Sequence, residues 1–496
     1  MTVIKQIEEF ARLFGYSRQY LIKRKALTKS FGFLGALRTQ ESPKMADTSD
    51  LTAAEARRHY QLTGSPAVGL TMGTWGFFVG FAAVALYGPA AKYFQEQMHL
   101  GGLALGLLVA APQLTGSLLR IPFGAWVDRV GGRLPMLTLF GLSLVGMWGL
   151  VFILLTVKTL TVAAYPIVIL FGFLSGCGVA SFSVGIPQVS YWFPQSRQGT
   201  ALGAYGGIGN LAPGLFTLLL PYAIASWGLA GSYFAWFTFL LIGVAIYAWF
   251  ARDAYFFQLR QQGFDSETSR RIASEKGEEL FPNERVWQAI ISAAEEPRTW
   301  GLVALYFVSF GGFLALTAWF PTYWISLHHM DVKSAAALGG LGFSLLAAVV
   351  RVFGGMISER VGGERTAVIA FIAVLAGALM LTFVEEFSLA LGGELLIALG
   401  MGVGNAAVFK MVPKYVPQAV GGAAGLVGGL GALGGFIIPP FLGAVVDALG
   451  TQGYAGGFFA YVVLAVMAIG VSAYFWHLDR SSKSTPAVAP AIRQTR

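Results

Sequence analysis

The 496-residue chain has one cysteine, Cys177, which excludes an intrachain disulfide and any cysteine-based metal cluster. It stands among glycines in an apolar run and reads as a small packing residue. Charge is scarce too: Asp, Glu, Lys and Arg make up 12% of the sequence, against about 25% in soluble globular domains. There are only five histidines. No paired carboxylates or histidine cluster falls inside the apolar runs, so general acid–base and metal-dependent enzyme chemistry lack their usual groups. No enzyme, metal or cofactor is expected.

Hydrophobic residues supply 55% of the chain, and glycine contributes 64 residues, as expected where helices must pack closely in lipid. Apolar runs about 20 residues long recur from roughly 66 to 476, too many for a signal peptide and one anchor. The chain reads as an all-α, polytopic membrane protein. The spans are expected at 68–90, 101–127, 134–157, 162–190, 199–225 and 231–251. After a polar stretch they resume at 300–326, 335–358, 365–384, 388–411, 421–446 and 455–477.

The net charge of +9 could suggest nucleic acid, but its placement points to the lipid bilayer instead. Basic residues fill the N-terminal tail (Lys23, Arg24, Lys25, Lys29, Arg57, Arg58) and then alternate loops: Arg129 and Arg133, Arg197, Arg252 with Arg270, Arg271 and Arg298, Arg360 and Arg365, and Lys414. The opposite loops hold little beyond Lys92, Lys158 and Lys333. By the positive-inside rule both termini and the linker are cytoplasmic. The expected organisation is a basic tail at 1–64, a six-helix bundle at 65–251, a linker at 252–298, a second bundle at 299–478 and a tail at 479–496. Ile7, Phe10, Phe14 and Leu21 share one face of the first tail, which reads either as a membrane-surface helix or as a disordered segment.

Two motifs occur twice. "RIPFGAWVDRVGGR" from Arg120 matches "RVFGGMISERVGGER" from Arg351, and "YWFPQSRQGTALGAYGGIGN" from Tyr191 matches "KYVPQAVGGAAGLVGGLGA" from Lys414. Spans 2 and 8 therefore correspond, as do spans 5 and 11, and the halves are parallel repeats. The loop "GAWVDRVGGR" resembles the signature of the major facilitator superfamily. That resemblance implies gating or structural roles for Asp128, Arg129 and Arg133, and for Glu359, Arg360 and Arg365.

Arg120 lies about eight residues, roughly 12 Å of helix, inside the charged turn that follows it. There, near the middle of a slab about 30 Å thick, insertion of an arginine costs about 2.5–3.5 kcal/mol. Arg351 holds the matching place in the other half. Neither has an acid one turn away on its own helix. Two guanidinium groups that cannot deprotonate favour an oxyanion held bidentately. The alternative is that each bonds backbone carbonyls at a helix contact. An amide in a glycine run, Asn210, is a further polar contact candidate.

With these residues in view, the whole twelve-span region resembles the nitrate/nitrite porter family. The paired arginines carry the resemblance, together with "GGIGN" (Gly206, Gly207, Gly209, Asn210) and "GGLGALGGF" (Gly428, Gly429, Gly431). It implies nitrate and nitrite as substrates, a prokaryotic inner (plasma) membrane, and aromatic lining from Tyr306 and Phe310 on span 7 and Phe182 on span 4. A planar nitrate would stack between phenyl rings, edge-bonded to arginine. Ala432 stands where span 5 has Asn210, so the site is asymmetric. Lys410 either snorkels to the interface or adds charge to the cavity. Glu394 is the candidate proton relay. Two empty arginines repel each other across a closing cavity, so nitrate/nitrite exchange is the expected mode and proton symport the alternative. A carrier of another small anion and a non-transporting sensor are lesser alternatives, and a monomer is expected.

Overall fold

Backbone conformation at the span ends displays the internal repeat. Spans 1 and 7 each end on a left-handed histidine, His99 (φ 51°) and His329 (φ 53°). Spans 2 and 8 each end on a positive-φ glycine, Gly131 (φ 87°) and Gly362 (φ 99°). A side chain is disfavoured at such angles, so glycine stops both helices at the same point of the repeat. The computed structural model describes residues 60–484, apart from 158, 283–285 and 384–385. The tail bearing Lys23 to Arg58, Lys158 and the last residues lie outside the described part.

From Gln61 onward the described chain forms one compact unit with helices and no strand among the described residues. The spans are Pro66–Met98, Gly102–Val130, Arg133–Thr156 and Val162–Ser190, then the continuous stretch Gln195–Phe250. They continue as Pro297–His328, Val332–Val361, Gly363–Phe383, Phe387–Tyr415, Pro417–Gly456 and Phe459–Ser481. Gly228, at φ 69° and ψ 175°, breaks Gln195–Phe250 into spans 5 and 6, which gives the expected twelve. Local signals start the helices. Ser65 caps Pro66–Phe81 with Pro at the first helical position. Asp331 caps span 8 and Glu386 caps span 10, each carboxylate accepting from orphan N–H groups. Large apolar side chains also face outward, among them Phe152, Trp249, Ile369, Phe383 and Met467, as lipid contact requires.

The regular helix is interrupted in places the sequence does not announce. Span 1 tightens at Ala82–Ala85 and span 4 at Cys177–Ala180. In the second half, span 7 widens into a π turn at Phe307–Gly311 and span 8 at Leu338–Leu345. The two halves touch backbone to backbone where span 2 begins and span 11 ends. There Gly102 meets the backbone of Gly443, and Gly106 meets Pro439. Gly88 of span 1 likewise abuts Ala318 of span 7. Any side chain at Gly102 or Gly443 would hold these backbones apart.

Candidate anion-binding site

Pro122 has no N–H for the carbonyl of Leu118, and the helix of span 2 stops at Leu118 and resumes at Arg120. This break presents Arg120 to the interior, where it is 1% exposed. Its Nε donates to the carbonyl of Gly116 at 3.0 Å, and its Nη1 donates to the carbonyl of Gly428 at 3.2 Å. The backbone-bonding alternative therefore holds for part of the guanidinium. Nη2 of Arg120 and Nη1 of Arg351 are buried without a partner. The ion pairs among the described residues involve neither arginine.

The two arginines share one aromatic surface. The guanidinium carbon of Arg120 lies 4.9 Å from the ring centres of both Phe182 and Phe310. That of Arg351 lies 5.7 Å and 5.6 Å from the same rings. Each such contact contributes about 0.5–2 kcal/mol. Phe310 belongs to the π turn of span 7, and Phe182 follows the tightened turn of span 4. Tyr306 stacks on Phe310 at 4.9 Å and feels the charge of both arginines.

The rings of Phe182 and Phe310 are stacked on each other, 5.8 Å between centres. A flat anion between two rings needs about 7 Å, two carbon contact distances. In this state the two rings therefore leave no room for a flat anion between them.

Asn210 is 1% exposed. Its Nδ2 donates to the carbonyl of Gly206 at 2.6 Å, and its Oδ1 is buried without a partner. It sits at the joint between two helical segments of span 5. The signature glycines divide by role. Gly209 abuts the ring of Phe77, Gly429 abuts Ile121, and Gly431 abuts Cβ of Tyr306. Gly428 supplies the carbonyl that holds Arg120, Gly207 lies near Val352, and Gly206 faces open space.

Asn405, buried with its Oδ1 unpartnered, escaped the sequence reading. Its run "GMGVGN" carries the same signal as "GGIGN". Phe77, which lies 5.2 Å from Phe182, and Phe409, which lies 4.8 Å from Tyr306, complete the aromatic wall. A phenylalanine in an apolar span gives no sequence signal for such a place.

The loop residues build a separate site. Asp128 accepts from the Tyr191 hydroxyl at 2.5 Å, and Arg129 is not free either. Arg133 donates its backbone N–H to Asp253 at 2.9 Å and its Nη2 to the carbonyl of Ala248 at 2.7 Å. Burial pushes the Asp253 carboxyl above its ordinary range. In the second half Glu359 and Arg360 are exposed, and Arg365 lies over the Trp476 ring. The ionic centre at that end is Glu364, which accepts from Lys414 at 2.5 Å and from Tyr415 at 2.7 Å. Lys410 donates to the carbonyl of Ser358 and so ties span 10 to span 8. Glu394 is fully buried, with one oxygen accepting from Trp324 at 2.7 Å and the other unpartnered.

Twelve spans in two repeats, with Arg120 and Arg351 meeting at one aromatic surface between them, define a polytopic helical membrane protein. The model of the Major Facilitator Superfamily matches residues 73–404 and 334–495. The chain is 32% identical over 391 residues to the probable nitrate/nitrite antiporter NarK1 of Thermus thermophilus, covering 75% of this chain and 83% of that one. It is 30% identical over 412 residues to the probable nitrate/nitrite transporter NarK2 of Mycobacterium tuberculosis, covering 81% and 94%. The nitrite extrusion protein of Bacillus subtilis is 27% identical over 424 residues, covering 84% and 98%. The chain belongs to the major facilitator superfamily and, within it, to the nitrate/nitrite porter family.

Solved structures agree on the fold. The partially occluded, inward-open xylose transporter XylE of E. coli superposes with a TM-score of 0.60 at 12% identity, covering 84% of this chain and 99% of that one. A bacterial homologue of the human lysosomal transporter Spinster, inward-facing and unoccupied, gives 0.59 at 17% identity, covering 86% and 100%.

Proposed function

We propose that this protein carries nitrate and nitrite across a bacterial inner membrane by alternating access, exchanging one for the other. The carrying observation is the pair of unpartnered guanidinium N–H groups, Nη2 of Arg120 and Nη1 of Arg351, set against one aromatic surface. Planar oxyanions match that donor fork, and the names of the relatives point to the same substrates. The bundles 65–251 and 299–478 rock about the arginine pair, with the linker 252–298 and both termini cytoplasmic and the carrier a monomer. Asp128, Arg129 and Arg133, with Glu359, Arg360 and Arg365, belong to the cytoplasmic gate.

Exchange is favoured because, among the described residues, no ion pair involves Arg120 or Arg351. Glu394 bonds Trp324, fourteen residues beyond Phe310 on span 7, or roughly 20 Å of helix. The alternative, nitrate/proton symport, draws on the unpartnered buried oxygen of Glu394. Counterflow of labelled nitrate in proteoliposomes decides between them. Exchange predicts that internal nitrite accelerates nitrate entry, that an inward proton gradient alone drives little accumulation, and that Glu394→Gln retains exchange. Strong proton-driven accumulation in nitrite-free vesicles, lost in Glu394→Gln, would overturn exchange and make Glu394 the relay.

A further inference from the structure

Two exposed arginines, at the start of span 9 and the end of span 12, share one indole. The guanidinium carbon of Arg480 lies 4.4 Å from the centre of the Trp476 ring, and that of Arg365 lies 5.4 Å from it. The two guanidinium groups are therefore within about 10 Å of each other, where like charges still repel at physiological salt. Neither takes part in an ion pair among the described residues. The acids next to them in sequence, Glu364 and Asp479, both accept from Lys414. Arg365 also stands in the first turn of Gly363–Phe383, where the helix dipole opposes a cation.

Each arginine tops a stripe that faces lipid. On span 9, Arg365, Ile369 and Ile372 recur at spacings of four and three, and all three are exposed. On span 12, Val466, Gly470, Ala473, His477 and Arg480 follow the same spacing and are exposed throughout. Spans 9 and 12 pack along each other, and their basic ends meet at Trp476. The indole Nε1 has no partner. A surface that is apolar along the spans and doubly basic at the rim matches both parts of a lipid, and tryptophan belongs at headgroup level.

We propose that Arg365, Arg480 and Trp476 form a binding site for an anionic phospholipid of the leaflet at this end, the cytoplasmic one in the proposed orientation. The phosphodiester accepts from the two guanidinium groups, which offer planar donor forks, and its charge offsets their repulsion. The acyl chains lie along Ile369, Ile372 and Ala473. The bound lipid bridges spans 9 and 12 at the end where Lys414 already joins Glu364 to Asp479. A soluble phosphate lacks the apolar half of this contact. The site is separate from the arginine pair of spans 2 and 8 and does not depend on what that pair carries.

Native mass spectrometry of the full-length protein, with phosphatidylglycerol and phosphatidylcholine added in equal amounts, tests the site. Wild type should bind phosphatidylglycerol in preference. One arginine near an anionic headgroup contributes about fivefold, so Arg480→Gln should lower the preference about fivefold, and Arg365→Gln with Arg480→Gln about 25-fold. Arg270→Gln with Arg271→Gln, two exposed arginines of the linker, removes the same charge elsewhere and should leave the preference unchanged. Arg480→Gln alters a single exposed side chain near a helix end, and it reads the site if the double variant fails to insert. Equal preference in wild type and the inserted variants overturns the site, and so does an equal fall in the linker control. Displacement of the lipid by inorganic phosphate at matched concentration overturns lipid as the occupant.

Discussion

The Asp447 carboxylate of span 11 caps the first turn of span 2, with Oδ1 accepting from the Gly102 N–H at 2.5 Å. Its other oxygen accepts from the Leu103 N–H at 2.7 Å. A charge at a helix N-terminus is favourable, and here it joins the two halves where their backbones already touch. Opening that end must break both bonds.

Asp447→Ala removes this cap, at a cost to the clasped state of about 0.5–2 kcal/mol. The conformational balance then shifts towards opening at this end. In a Cys177→Ser background, a cysteine at Ala318, buried beside Gly88, should react with a membrane-impermeant maleimide several-fold faster when Asp447→Ala is added. An unchanged labelling rate would show that the glycine contacts alone hold this end.

Arg120→Lys and Arg351→Lys keep the charge but lose the planar fork. Each should reduce nitrate uptake by more than about tenfold, the effect of losing 1.4 kcal/mol or more from charge-assisted bonds, with normal membrane insertion. Lysine at position 120 would also forfeit the bonds to Gly116 and Gly428. Near-wild-type uptake by either well-inserted variant would remove the paired-arginine site.

Asn210→Ala should weaken apparent nitrate affinity by about 2- to 12-fold, the range for one neutral hydrogen bond, and alter the preference between nitrate and nitrite. Phe182→Ala and Tyr306→Ala should impair transport more, because each unstacks the surface on which the arginines rest. Unchanged affinity and selectivity in all three would assign these residues to packing.

The linker carries a pH-dependent contact. Glu278 is buried, and its oxygens accept from the N–H groups of Tyr255 at 2.5 Å and Phe256 at 3.1 Å, capping helix Tyr255–Gln261. Burial pushes its carboxyl from 4.5 up to about 7. The folded state therefore keeps a proton that the unfolded chain releases, and stability falls as pH rises from 4.5 through about 7. The Tm of wild type relative to Glu278→Gln should decline over that window and level off above it. A constant difference between pH 4.5 and 8 would show that Glu278 has the same affinity for its proton folded and unfolded.

Much of the fold was legible because hydrophobic run length and loop charge report directly on a bilayer. The expected ends of span 4, 162–190, coincide with Val162–Ser190, where Tyr165–Pro166 and Phe193–Pro194 punctuate the chain. Span 1 runs on to Met98, beyond the expected 90, because tightened turns carry it past Gly88 and Pro89. The arginines were legible as cations in apolar runs. Gln113, Ser117 and Asn405, which the structure buries, were passed over, although each is a polar residue in a similar run, because a single amide or hydroxyl is tolerated in a helix by back-bonding. Thr317 does so towards Phe313, and sequence alone does not separate it from Ser117.

The sequence by itself determined the solvent, the number of spans, the repeat and the residues that cannot shed their charge. These follow from transfer free energies and periodicity, which are local properties. Only the tertiary structure decided which carbonyls satisfy Arg120, that Arg120 and Arg351 share the rings of Phe182 and Phe310, and that those rings are in contact with each other. It also placed the closure of the two halves at Gly102 and Gly443. Each depends on residues far apart in the chain, and on helical turns that tighten or widen under packing against neighbouring spans. Glycine and phenylalanine give no advance sign of such turns, because their preferences are met equally well in a straight helix.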